Sequence, residues 1–179
     1  MEILIAIIAL LLVLLIWVFA YHGFFNRIRF QLVETGGEII VYESMIGDYK
    51  NSGRVMDKLY FSLINDFNVH TTKGFGIYYD NPKKIERANL RSDIGCVIEN
   101  ISIEKIIEIE KKYRVKTFPK STYLCCDFPF RNKMSLFFAL IKVYPAMEKF
   151  STKNHLKEDG FVMEIYDVPD RKIYYRRKV

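Results

Sequence analysis

The sequence predicts an α+β domain: a tandem strand-helix-strand-strand repeat with pseudo-twofold symmetry and an antiparallel sheet, preceded by one transmembrane helix. Three observations carry this. Tyr79-Asp80-Asn81-Pro82 returns as Tyr166-Asp167-Val168-Pro169, each time after an apolar, aromatic run and before a second strand-like run. The order strand, helix, strand, strand is read twice along the chain. From Ile3 to Tyr21 no charged residue occurs.

Leu, Ile, Val and Ala fill nearly all of that uncharged run. About 20 such residues at roughly 1.5 Å each cross a hydrocarbon core of about 30 Å. Trp17 and Tyr21 stand at its far end, where aromatic rings meet lipid headgroups. A cleaved signal peptide is the competing reading, since Val18-Phe19-Ala20 resembles a weak cleavage site. Against it, Glu2 rather than a basic residue precedes the run, which is also longer than a usual signal-peptide core. Residues 1–24 are therefore expected to form an anchor, and 25–179 a ligand-binding domain. All 27 Lys and Arg follow the anchor, Arg27 and Arg29 closely. This places the domain on the cytoplasmic side.

The chain has 179 residues, 50% of them hydrophobic, and a net charge of +6. The part after the anchor is long enough to bury a core without staples. Cys96 stands alone, and Cys125-Cys126 are neighbours that a strand would point to opposite faces. No Cys-x-x-Cys spacing exists. Buried thiols are expected, with no metal and no cofactor.

The elements follow in order. Ile28, Phe30 and Leu32 alternate in a strand from Arg27 to Glu34. Gly36-Gly37 then gives a tight turn into a partner strand, Glu38 to Ile46. Asn51 or Ser52 caps a helix reaching about Asp66, with Val55, Leu59, Phe61 or Ser62, and Leu63 as its inner stripe. Phe75 to Asn81 is an aromatic strand, Pro82-Lys83-Lys84 a charged loop, and Arg91 to Glu99 another strand. Ser102 caps the next helix, whose buried side is Ile103, Ile106, Ile107 and Tyr113. Glu108, Glu110, Lys111 and Lys112 form its solvated face. Short strands follow at Val115–Phe118 and Ser121–Phe128. A helix from about Lys133 to Phe150 contains Pro145, which should kink or end it. Strands at Phe161–Val168 and Lys172–Lys178 close the chain. The basic residues of the last strand read as a solvated sheet edge.

Gly47-Asp48-Tyr49, Gly76-Ile77-Tyr78-Tyr79-Asp80-Asn81-Pro82 and Glu164-Ile165-Tyr166 resemble the GyrI-like domain, the ligand-binding module of multidrug-sensing regulators. Leu90-Arg91-Ser92-Asp93-Ile94-Gly95, Phe128-Pro129-Phe130 and Lys142-Val143-Tyr144-Pro145-Ala146 resemble its membrane-anchored branch, which includes testis-expressed protein 264. The resemblance implies the tandem strand-helix-strand-strand fold and a pocket glutamate that binds cationic drugs. Testis-expressed protein 264, an animal autophagy receptor of the endoplasmic reticulum, works through a long disordered tail with an aromatic-x-x-aliphatic motif. Here Tyr60-Phe61-Ser62-Leu63 falls on the first domain helix, and the chain ends soon after its last strand. The regulators' helix-turn-helix is also not found. No nucleic-acid partner is expected, because basic and acidic residues are mixed.

The repeat aligns Glu164 with Ile77, and Tyr166 with Tyr79. Period two puts Val162, Glu164 and Tyr166 on one face of their strand. A carboxylate ringed by Tyr166, Tyr79 and Tyr49 suits a small lipophilic or cationic molecule, held by charge and by cation–π contact. In the alternative, Glu164 faces solvent or pairs with a nearby Arg or Lys. Two other functions stand beside ligand binding: a membrane-tethered adaptor for a protein partner, and a hydrolase using Glu164 as general base. His22, His70 and His155 are scattered and form no catalytic spacing.

Overall fold

Helix α1 (Glu2–Tyr21) opens the chain with no buried residue. The computed structural model describes residues 1–156 and 160–179. After α1 come β1 (Gln31–Thr35), β2 (Ile39–Ile46), α2 (Ser52–Phe67), β3 (Lys73–Tyr78) and β4 (Arg91–Ile98). Then follow α3 (Ile103–Glu110), β5 (Arg114–Thr117), β6 (Ser121–Pro129), α4 (Lys133–Lys153), β7 (Val162–Asp167) and β8 (Lys172–Lys178). All strands join one antiparallel sheet in the order β1-β6-β8-β7-β3-β4-β2-β5. The two repeats are β2-α2-β3-β4 and β6-α4-β7-β8. They meet where β3 pairs with β7, with Gly76 opposite Glu164.

The first expected hairpin does not form. β1 pairs with β6 and β5 pairs with β2, so each half lends an edge strand to the other. The reason lies in two short linkers that cross. Gly37 N–H donates to Phe118 O (2.8 Å), and Phe118 N–H donates to Glu38 O (2.7 Å). Each linker joins strands near opposite ends of the sheet. A few residues at about 3.5 Å each cannot span a flat sheet of this width, so the sheet curls until its ends approach. Phe75, Ile77, Met163 and Ile165 pack with Phe118 and Tyr123 on the face it curls toward.

The helices cover the other face. Leu59, Leu63 and Phe67 of α2 pack on Val41, Cys96 and Ile98. Phe138, Ala139, Val143 and Met147 of α4 pack on Leu124, Phe128, Ile173 and Tyr175. Tyr60-Phe61-Ser62-Leu63 lies within α2, where its backbone is already hydrogen-bonded.

Several local expectations are corrected. Asn51 holds the N-cap position of α2 but makes no side-chain cap bond; the cap bond comes earlier, from Asp48, which accepts from Lys50 N–H ahead of a 3-10 turn that runs into α2. On α3 Ile109 is buried and Ile106 half-buried, with Tyr113 buried just after the helix, while Ile103 and Ile107 are exposed. The helix is shorter and turned by about one residue from the expected phase. Pro145 neither ends nor interrupts α4. Pro145 and Ile141, whose carbonyl loses its donor, both lie on the exposed side of the helix, outside the packed core. The last strand is no sheet edge: β8 sits between β6 and β7. Arg176 pairs with Glu38 at 2.7 Å, and Arg177 is buried.

α4 starts at a strong cap. Asn132 Oδ1 accepts from Met134 N–H (2.9 Å) and Ser135 N–H (3.3 Å). Asn132→Ala is expected to cost about 1 kcal/mol, a lowering of a few degrees in a thermal melt.

Candidate functional site: a tyrosine-lined cleft around a buried glutamate

The cleft begins with the sequence of β3, Lys73-Gly74-Phe75-Gly76-Ile77-Tyr78. Period two sends Phe75 and Ile77 to the curled face and turns Gly74, Gly76 and Tyr78 toward the helices. Two glycines on that face leave the strand bare. A Cβ on Gly74 would lie 2.3 Å from Met56 Sδ, and one on Gly76 would lie 2.7 Å from the Tyr78 hydroxyl. α2 packs over β4 and β2, and α4 over β6 and β8, so the middle, β3 and β7, stays open. The result is a cleft of about 1720 Å³. Met56 and Tyr60 of α2 form one wall, and Leu136, Leu140 and Tyr144 of α4 the other.

Glu164 stands on the floor and is only 2% exposed. Tyr144 Oη donates to Oε1 at 2.6 Å, and Tyr166 Oη donates to Oε2. Among the described residues no Lys, Arg or His is paired with the carboxylate. Burial pushes its pKa above the ordinary carboxylate value, and the two phenol hydrogen bonds offset only part of that. Burial, together with the neighbouring Glu164, also raises the Tyr144 and Tyr166 hydroxyls well above the usual tyrosine range. Tyr175, directly opposite Glu164 on β8, has a buried hydroxyl with no hydrogen-bond partner among the described residues. The floor is thus a carboxyl group surrounded by phenols, held in low dielectric without a counter-ion among the described residues.

The four residues singled out from the sequence divide. Glu164 and Tyr166 sit together on the floor. Tyr49 lines the cleft with its ring, 4.8 Å from that of Tyr78. Its hydroxyl donates to Asp80 O and Arg91 O and accepts from Asp80 N–H, tying the loop after β3 to the start of β4. Tyr79 only borders the cleft. Its hydroxyl turns to Asp93 on the curled face at 2.7 Å. The alignment of Tyr79 with Tyr166, and of Ile77 with Glu164, is therefore off by one residue. The β3–β7 register puts Ile77 opposite Met163, and Tyr78 is the tyrosine on the face of Glu164.

Tyr78, Tyr144 and Tyr175 were missed. Gly74 and Gly76, two residues apart in an aromatic strand, were the available signal for Tyr78. Nothing local marks Tyr144, which reaches Glu164 only because α4 packs across its own half of the sheet.

No protein-family profile and no curated protein matches this chain. Solved structures do. The C-terminal domain of EcmrR superposes with a TM-score of 0.56 at 13% identity, over 84% of this chain and 98% of that one. The fold is GyrI-like. A second GyrI-like neighbour, SAV2435, was solved bound to tetraphenylphosphonium. It has a TM-score of 0.55 at 13% identity, over 84% of this chain and 94% of that one. A cryo-EM structure of an EcmrR–DNA complex gives a TM-score of 0.61 at 13% identity. That match covers 85% of this chain, which spans 58% of the EcmrR chain. The matches extend to the GyrI-like fold and not to its membrane-anchored branch.

Proposed function

We propose that the cleft binds a small lipophilic molecule, above all a cation, through Glu164 and the tyrosines around it. One observation carries this reading: a carboxyl group buried at the floor of an open cleft, with no basic partner among the described residues. A lone buried carboxylate is costly, and a cationic ligand would supply the missing charge. Tyr78, Tyr144 and Tyr166 add π faces, each cation–π contact contributing about 0.5–2 kcal/mol. SAV2435, a protein of the same fold, has been seen with a lipophilic cation, which supports this class of ligand. We also propose that α1, long and apolar enough to cross a membrane, anchors the chain through residues 1–24. The domain of residues 25–179 then lies on the cytoplasmic face. DNA binding is not part of the proposal, since Arg176 and Arg177 are taken up by the sheet and its buried contacts.

Titrating the full chain with tetraphenylphosphonium tests the ligand class. Glu164→Gln keeps the size of the side chain and removes its charge. It is expected to weaken binding by roughly tenfold or more, since losing one partner of a buried charge pair costs on the order of 2 kcal/mol or more. Equal affinity for parent and variant would refute the role of Glu164.

A further inference from the structure

The last turn of α1 and the loop after it are docked on α4. The Phe19 and Phe24 rings each lie 5.3 Å from Phe138. His22 Nδ1 is 3.2 Å from Ser135 Oγ. Lys142 Nζ donates to the carbonyls of Phe24 and Asn26. Arg131, just before α4, lies 4.2 Å over the Tyr21 ring. These contacts all fall at the first half of α4, so that half and the end of the apolar helix are held as one unit.

Helical geometry orders the rest of α4 around its axis. Phe138 and Lys142 face the end of α1. Ala139, Val143 and Met147 face the sheet. Leu136, Leu140 and Tyr144 face the cleft. The outward side, between the α1 contact and the cleft, is Met134, Phe137 and Ile141. Phe137 is 57% exposed and Ile141 47%. Leu140 is exposed as well as lining the cleft, so the outer stripe runs into the cleft wall. At its other side Phe137 packs on Phe138, whose ring meets that of Phe24; Phe24 and Phe25 are both exposed where α1 ends.

We propose that this outer face of α4 lies on the bilayer that α1 enters, so that the cleft opens at the headgroup region and takes its ligand from the membrane. The inference rests on the reading of α1 as an anchor. The occupant is a lipid surface because the stripe lies beside the end of an apolar helix of 20 residues, none of them buried and all exposed up to Trp17. An aromatic and aliphatic helix face of this kind beds into the headgroup boundary. The charges agree: Arg131 and Lys133 stand at the α1 end of the stripe, and Lys83 and Lys84 on the rim of the cleft, where anionic headgroups attract them.

Fluorescence quenching by phospholipids brominated on their acyl chains tests this in the full chain, reconstituted in phosphatidylcholine–phosphatidylglycerol vesicles. Trp17 is the single tryptophan and reports on the anchor in the parent protein. On a Trp17→Phe background, Phe137→Trp and Ile141→Trp report on the outer face of α4, and Phe61→Trp, exposed on α2, serves as reference. The expected result is quenching of Trp17, and quenching of the two α4 reporters about twofold or more above the Phe61→Trp reference. If Trp17 is quenched but the α4 reporters match the reference, the inference is overturned and the anchor stands. A blue-shifted but unquenched α4 reporter would mean a second copy of the chain covers this face, and would also overturn it. An unquenched Trp17 removes the anchor and this inference together.

Discussion

Glu164→Gln is expected to make the protein more stable while abolishing most of its affinity for a lipophilic cation. The gain should depend on pH. Burial raises the folded-state pKa of Glu164 above the unfolded value of about 4.5. Between those two values the folded chain holds a proton that the unfolded chain has lost, so stability falls as pH rises through that window. The sign is opposite to that of a salt-bridged carboxylate. Gln resembles the protonated acid and does not titrate. Parent and variant should therefore unfold alike below pH 4.5, and the variant's advantage should grow as pH rises above it. Denaturant titrations of both proteins across that range would show this. A residue kept for stability would behave the other way: its replacement would weaken the fold at neutral pH. The loss of binding alongside a gain in stability marks a group retained for a ligand.

Gly36→Ala should have the largest effect on the fold. Gly36 and Gly37 adopt φ of 122° and 97°, which side-chain-bearing residues rarely adopt. The strain alone costs on the order of 1–3 kcal/mol. At Gly36 a Cβ would also lie 2.2 Å from Pro119 O, in the backbone of the linker that crosses it. Neither linker can yield without parting the ends of the curled sheet. A loss of about 3 kcal/mol or more in the free energy of unfolding is expected. Gly37→Ala is the internal control. Its Cβ would meet only the side chain of Lys120, at 2.9 Å, which can swing away. That variant should lose only the strain, and the difference between the two in urea midpoint measures the crossing contact.

Much of this fold was legible because hydrophobic period and turn residues are local. The two strand-helix-strand-strand halves, the helices around Leu59 and Val143, and the strand carrying Glu164 all follow from such patterns. What was not legible depends on partners distant in sequence. Gly36-Gly37 reads as a hairpin turn, yet the strands it joins pair elsewhere, and nothing within the turn says so. The repeated Tyr-Asp-x-Pro marks the turns after β3 and β7 correctly but misaligns the strands by one residue. In a strand, one residue exchanges faces, which is why Tyr79 was placed where Tyr78 stands. The last strand reads as an edge because Arg176 and Arg177 are charged, but Glu38 and the Ser151 hydroxyl reach them inside the fold. Glu164 itself was visible as an acid in an apolar strand. Its isolation from every basic side chain in the described residues became visible only in three dimensions.

Proton release on ligand binding tests the role of Glu164 most directly. Calorimetric titration of the full chain with a lipophilic cation is carried out just above pH 4.5, in two buffers of different ionisation enthalpy. A cation that draws its charge partner from a protonated buried carboxyl should expel up to about one proton per ligand. The apparent enthalpy then differs between buffers for the parent chain and is the same in both for Glu164→Gln, which should also bind more weakly. Equal affinity in both proteins with no proton released would contradict the assignment of Glu164 as the ligand's partner.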